Sequence, residues 1–205
     1  MPTDATLPSR ARASDELLRT ALEQFATVGF VGTSLQQIAD HAGYSKSSVL
    51  YHYASKEALL EAAITPAIER LEVLVGEFAE GRRSDAARGV FIGSFVDLLL
   101  GERLAVHLFV NQGHSLGGIP IVERGNAAVR VLADAICSGA TLVEQMRFGV
   151  ALAGATYALV AGATFFGDED PVNETLNAHT DEELREALVD VVSELLLPAD
   201  GRQTR

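Results

Sequence analysis

"SLQQIADHAGYSKSSVLYHY", Ser34 to Tyr53, holds two short apolar-periodic pieces separated by Gly43. Neither piece is long enough to stand as a helix alone in water, so each needs neighbours to hold it. The first piece buries Leu35, Ile38 and Ala39, and the second buries Val49 and Tyr53 at i, i+4. Thr33 with Gln36 three residues on reads as a capping box for the first helix. Gly43 ends that helix, and Ser45 caps the next. Two capped short helices around a Gly-containing turn form a helix-turn-helix pattern. The second helix carries Ser45, Lys46, Ser47, Ser48, Tyr51 and His52 within eight residues. Its N-terminus offers free N–H groups to a phosphate, and the short serines let the backbone approach closely. Lys46 and Lys56 supply charge, and Tyr51 and His52 supply further donors for phosphate or base edges. Any one of these residues suits a plain solvated helix face equally well; the capped pair, the turn and the donor cluster together favour duplex DNA.

The flanks extend the pattern. Ser14–Val28 has a stripe of Leu17, Leu18, Ala21, Leu22 and Phe25, with Ser14 as its expected N-cap and Gly29 as its stop. Residues 1–13 read as a flexible arm carrying Arg10 and Arg12. Ser55 caps a fourth helix reaching about Glu80, which Pro66 should kink or divide. Further helices are expected over Ser84–Leu100, Glu102–Asn111, Pro120–Ser138 and Thr141–Phe166, with a last one from Thr180 or Asp181 to about Leu197. The fold class is all-α, about nine helices. Residues 1–52 read as a DNA-binding three-helix head, and 53–205 as a larger helical body for ligand binding and dimerisation.

Charge divides along the same line. The chain carries −12 overall, yet residues 1–56 hold five Lys/Arg and five Asp/Glu. A neutral head on an acidic body allows one face to meet an anion, whereas a DNA-packaging protein would want basic surface throughout. The single cysteine, Cys137, gives neither a disulfide framework nor a metal cluster, so neither metal nor cofactor is expected. The N-terminal residues lack an apolar h-region, which fits a cytoplasmic protein without a signal peptide. Phe148–Gly167 is uncharged over twenty residues but rich in Ala, Gly and Thr, so it reads as a buried helix rather than a membrane span.

From Leu17 to Leu60 the sequence resembles the TetR family of bacterial transcriptional repressors. The carrying residues are Gly29–Phe30, Thr33–Ser34, Ile38–Ala39, Ala42–Gly43 and Ser55–Lys56–Glu57. The resemblance implies phosphate contacts at Ser34 and Lys56. It implies base or phosphate contacts at Ser45, Lys46, Ser47, Ser48, Tyr51 and His52. Thr33 and Gln36 join the expected DNA-binding set at the start of the second helix. Leu50 stands where the family usually has Tyr, Tyr44 replaces a small aliphatic, and Ser47 a frequent Gly, which leaves the operator sequence open.

The rest of the expectation follows from geometry and resemblance together. One recognition helix makes few contacts, so two must act at roughly 34 Å separation on a palindromic operator. That requires a homodimer, expected through the last two helices, where Leu184, Leu188, Val191, Val192, Leu195 and Leu196 recur. The resemblance also implies a small, largely apolar inducer in the body. Expected lining residues are Phe91, Phe95, His107, Asn111, Tyr157 and Phe165, with Phe109, Gln112 and Phe166 beside them. A bound ligand would shift helix four, and with it the head, releasing DNA. The rival reading is an enzyme: "GHSLGG", Gly113–Gly118, matches G-x-S-x-G, and "AVHLFV" before it resembles a strand. Asp168 or Asp170 and His179 follow in triad order. The helical surroundings argue against a nucleophile elbow, and no catalytic residues are expected.

Overall fold

The computed structural model describes residues 6–81, 84–160 and 179–197. Among the described residues there are nine α-helices and no strand. They are α1 Thr6–Thr27, α2 Leu35–Ala42, α3 Lys46–His52, α4 Lys56–Glu80, α5 Asp85–Gly101, α6 Arg103–Gln112, α7 Pro120–Cys137, α8 Leu142–Val160 and α9 Asp181–Leu196. A 3₁₀ turn, Gly113–Leu116, links α6 to α7. "AVHLFV" is therefore helix, as its Leu108 and Ala105 face a common core.

Two expectations at the N-terminal end are corrected. α1 starts at Thr6, eight residues before Ser14, so residues 6–13 are helix rather than arm. Pro8 does not prevent this, because a proline in the first turn lacks only an N–H that would have no helical partner. Ser14 is inside α1, and its Oγ lies 2.7 Å from the Tyr53 hydroxyl. α4 runs across Pro66 without division, so of the two outcomes expected there the second is excluded. The proline lies on the exposed face, where water can meet the carbonyl it leaves unpaired.

Two clusters of buried side chains organise the helices. The first joins Leu17, Ala21 and Phe25 of α1, Ile38 of α2 and Val49 of α3 to Leu59, Leu60 and Ile64 of α4. It also takes in Leu108 of α6, Leu116 of the 3₁₀ turn, and Ile121 and Val122 of α7. The second lies between the far half of α4 and helices α5, α7, α8 and α9, around Phe91, Ile92, Phe95, Phe148, Leu152 and Val192. α4 thus threads both clusters. α7 crosses it at Gly125, where a Cβ would stand 2.7 Å from a Phe109 ring carbon and 2.8 Å from Ile68 Cδ1. Only a residue without a side chain lets these helices approach so closely. Arg124 beside it makes a two-point ion pair with Glu72 of α4, at 3.0 and 2.6 Å.

Phe148, Ala151, Leu152 and Ala155 of α8 are buried in the second cluster. No described helix is long and apolar enough to cross a membrane. The remainder of the uncharged segment, from 161, lies outside the described residues.

Candidate nucleic-acid interface and body clefts

α2 and α3 owe their stability to caps and to one shared floor. The N-cap of α2 is Ser34, not Thr33, and its box partner is Gln37, not Gln36. Ser34 Oγ accepts the Gln37 N–H at 3.2 Å, and Gln37 Oε1 accepts the Ser34 N–H at 2.8 Å. The sequence contains both overlapping patterns, and burial chooses between them. Thr33 is 2% exposed, and its hydroxyl donates to the Gly29 carbonyl at 2.8 Å. Gly43 then takes φ 75°, a left-handed corner that a Cβ would strain, and ends α2.

α3 is pinned at three points. Val49 is fully buried against the first cluster. At the front, the Tyr44 hydroxyl donates to Glu16 Oε2 at 3.0 Å, a bond that raises the tyrosine pKa. At the rear, Tyr53 meets Ser14 on the same helix α1. Ser45 caps α3 by accepting the Ser48 N–H at 3.1 Å, and the hydroxyls of Ser47 and Ser48 lie 2.9 and 3.0 Å from its own. This arrangement leaves Ser45, Lys46, Ser47, Leu50 and Tyr51 on the exposed side, with Ser48 and His52 half-buried at its edges. Tyr51 is 69% exposed, with its ring edge-on to His52 at 5.5 Å. Ser34 and Gln36 of α2 are also exposed, and Gln36 Nε2 donates to Asp40 at 2.7 Å.

Two expected contact residues point elsewhere. Thr33 is buried, as above. The Lys56 ammonium turns inward: Nζ donates to the carbonyls of Phe30 and Thr33 at 2.7 and 2.8 Å and stands 4.4 Å from the Phe30 ring centre. The turn after α1 has carbonyls with no helical partner, and a cation from α4 meets them more closely than water would.

One side chain that the motif did not single out ties this region to the body. Gln112, the last residue of α6, donates from Nε2 to the Phe25 carbonyl at 2.7 Å. Its Oε1 accepts the Phe30 N–H at 2.8 Å. Phe25 is among the last four residues of α1, so Gln112 caps that helix from 87 residues away.

The described members of the expected ligand-lining set divide between core and surface. Phe91 and Phe95 are core residues, stacked at 5.9 Å, with Phe91 also 4.3 Å from Phe78. Asn111 and Tyr157 are exposed, and His107 is half-buried with its Nδ1 3.3 Å from Asn111 Nδ2. Phe165 lies outside the described residues, as does Phe166. Two clefts in the described body involve none of them: one is a groove of about 590 Å³ between α4 and α5, the other a cleft of about 200 Å³ at the far end of α4. The interface set divides as well. Leu184, Val192 and Leu196 are buried and Leu188 is half-buried, whereas Val191 and Leu195 are exposed.

The G-x-S-x-G match, Gly113–Gly117, falls in the 3₁₀ turn between α6 and α7. Ser115 Oγ donates to the Gln112 carbonyl at 2.8 Å. A nucleophile elbow needs a strand before a sharp turn, and α6 stands in that place. His179 lies 3.7 Å from Glu183, and Asp168 and Asp170 are outside the described residues.

Comparison with known proteins bears on the same region. Residues 17–63 match the family model described as "Bacterial regulatory proteins, tetR family". The HTH-type transcriptional regulator RutR of Escherichia coli K12 is 50% identical over 48 residues, 23% of each chain, so the chain matches less than a quarter of that relative's length. The HTH-type transcriptional repressor KstR2 of Mycolicibacterium smegmatis is 26% identical over 121 residues, 58% of each chain. Among solved structures, SCO3833 of Streptomyces coelicolor A3, a TetR-family regulator, superposes with a TM-score of 0.65 at 22% identity, covering 90% of this chain and 91% of that one. Residues 17–63 are thus similar to the TetR-family model, and the described helices share the fold of the SCO3833 structure.

Proposed function

We propose that the chain is a DNA-binding transcriptional regulator, a repressor acting in the bacterial cytoplasm as a homodimer on a palindromic operator. Residues 1–52 form its DNA-binding part, and 53–205 its ligand-binding and dimerisation part. The observation that carries this reading is the exposed side of α3, with Ser45, Lys46, Ser47 and Tyr51 held outward by Val49 beneath and by Tyr44 and Tyr53 at either end. Lys46 and Tyr51 reach deepest into a major groove, Ser34 and Gln36 approach the flanking phosphates, and Ser48 and His52 line the margin. Thr33 and Lys56 act indirectly, by fixing the corner between α1 and α2.

The dimer reading rests on apolar side chains left uncovered in one chain. Val143, Met146, Val150 and Tyr157 recur along α8 at three- to seven-residue steps, each at least 45% exposed. Val191 and Leu195 continue the surface on α9. A contiguous exposed apolar face of this kind favours self-association. A small inducer bound in the body would favour one placement of α4, which enters both clusters and carries α3 at its head.

Fluorescence anisotropy on duplex selected from random DNA tests the assignment. Lys46→Ala should lower affinity and, in a dimer, reduce the log–log salt slope by about 2. Tyr51→Ala should relax the selected sequence. Unchanged affinity in the Lys46→Ala, Tyr51→Ala double variant would refute the reading. Val150→Glu with Val191→Glu should convert a dimer into a monomer in light scattering and weaken operator binding with it.

A further inference from the structure

The smaller cleft, about 200 Å³, opens at the end of α4 remote from α3. Helix ends build it: Phe78 from α4, Arg88 from the start of α5, Ile136 from α7, and Glu144 and Phe148 from α8, with Ala140 in the turn between. Two rings, 6.4 Å apart between centres, give it an apolar side. Its charged lining is one cation and one acid, and the two differ in how their hydrogen-bonding groups are engaged. Arg88 is the cation among the described lining residues, with its guanidinium carbon 5.9 Å from the Phe148 ring centre. The ion pair of Arg88 with Asp85 is long, at 3.6 Å, beyond hydrogen-bonding range. Glu144, the acid on the wall, accepts the Thr141 N–H and hydroxyl, both at 2.7 Å, and also feels the charge of Arg88, with which no hydrogen bond is formed among the described contacts.

We propose that this cleft binds a small apolar monocarboxylate, with Arg88 taking the carboxylate and Phe78 and Phe148 the hydrocarbon. The proposal rests on the ligand-response reading above and supplies the ligand chemistry. A guanidinium offers a planar two-point fork that matches a carboxylate. A cationic ligand would be repelled by Arg88, and a neutral one would leave its fork unmatched. Size narrows the class further. An apolar cavity of about 150 Å³ admits benzene, so the present cleft holds one ring or a short chain together with its carboxylate. An occupant would touch α4, α5, α7 and α8 at once, and so would fix the far end of the helix that carries the head.

Calorimetric titration of the full chain tests this with four probes: sodium benzoate, sodium hexanoate, benzyl alcohol and benzylamine. Both carboxylates should bind at least about tenfold more tightly than the alcohol, the scale of a charged hydrogen-bond pair. Arg88→Gln should cost the carboxylates about the same factor and leave the alcohol unchanged, and Arg88→Lys should restore part of the loss. Ala135→Leu, which fills the cleft from α7, should abolish binding of both carboxylates while the thermal unfolding midpoint is kept. Silent titrations with both carboxylates, or binding indifferent to Arg88→Gln and Ala135→Leu, would overturn the proposal. Duplex titration without any carboxylate separates the two readings. A chain that binds benzoate through Arg88 but no DNA upholds the cleft and removes the regulator assignment; one that binds DNA but no carboxylate does the reverse.

Discussion

Replacing Gln112 by Ala removes the amide that bridges α6 to the end of α1. Two backbone groups lose their partners together: the Phe25 carbonyl, met at 2.7 Å, and the Phe30 N–H, met at 2.8 Å. Each lost bond is worth about 0.5–1.5 kcal/mol, and a fully buried orphan group costs about 1–3 kcal/mol. Both bonds are only part-buried, so water recovers some of the loss. The expected destabilisation is about 2 kcal/mol, or roughly 4–8 °C in the unfolding midpoint for a chain of this size. Gln112→Glu separates the two bonds. The carboxylate still accepts from Phe30 but faces the Phe25 carbonyl with no proton to donate, so this variant should be no more stable than Gln112→Ala at neutral pH. Its deficit should shrink as pH falls and the carboxyl acquires a donor, because the introduced group has a raised pKa in the folded state. Urea unfolding, read at constant slope, measures both variants, with Asn111→Ala as the exposed neighbour expected to stay within about 0.5 kcal/mol of the parent. If Gln112→Ala also stays within that margin, the bridge contributes nothing and the reasoning is wrong.

Two further outcomes follow from packing and caps. Gly125→Ala drives a methyl group into Phe109 and Ile68 and should cost about 1–3 kcal/mol before a helix-propensity gain of about 1 kcal/mol is returned. Gly76→Ala in α4 meets nothing within 4 Å, so the same substitution there should stabilise; urea midpoints moving in the same direction at both sites would refute the close-approach argument. The second outcome concerns acid. Glu183 and Glu144 are held below the ordinary glutamate pKa by the N–H groups they accept at their helix caps, and Glu72 by Arg124. Depressed carboxyl values contribute stability that is present above about pH 4.3 and lost as pH falls through the folded values. The urea midpoint should therefore be flat from neutrality to about pH 5 and decline below it. Thr180→Val, which removes the hydroxyl bonded to Glu183, should make that decline shallower.

Local signals mark the helices and the caps at Ser45 and Ser55, and narrow the last cap to Thr180 or Asp181, because a cap bonds to a residue only three positions away. They also gave the outward set on α3, since a helix with one buried residue, Val49, has its remaining faces fixed by geometry. What they missed was set at a distance. Thr33 and Ser34 are equivalent caps on paper, and only the packing of α1 against the turn buries one of them. Lys56 was read as a surface charge because its two carbonyl partners lie 26 and 23 residues earlier. Phe91 and Phe95 read equally well as pocket wall and as core, because an aromatic residue on an apolar helix fits both, and the ring of Phe78 that packs on Phe91 belongs to another helix. The cleft was missed for the same reason: its walls come from helix ends spread over seventy residues.

The way Leu108, Leu116, Ile121 and Val122 sit beneath α1, α2 and α3 has a practical consequence. The three N-terminal helices share one buried cluster with the body. A fragment cut after α4 would bare the underside of Phe25 and Ile38 to water, and such a piece should clump or melt rather than bind. Grafting residues 1–52 onto another body therefore requires that the corner from α6 to the first turn of α7 travel with them. Heating should undo the N-terminal helices and this base in one step, so substitutions in α6 or α7 will register in the stability of α2 and α3.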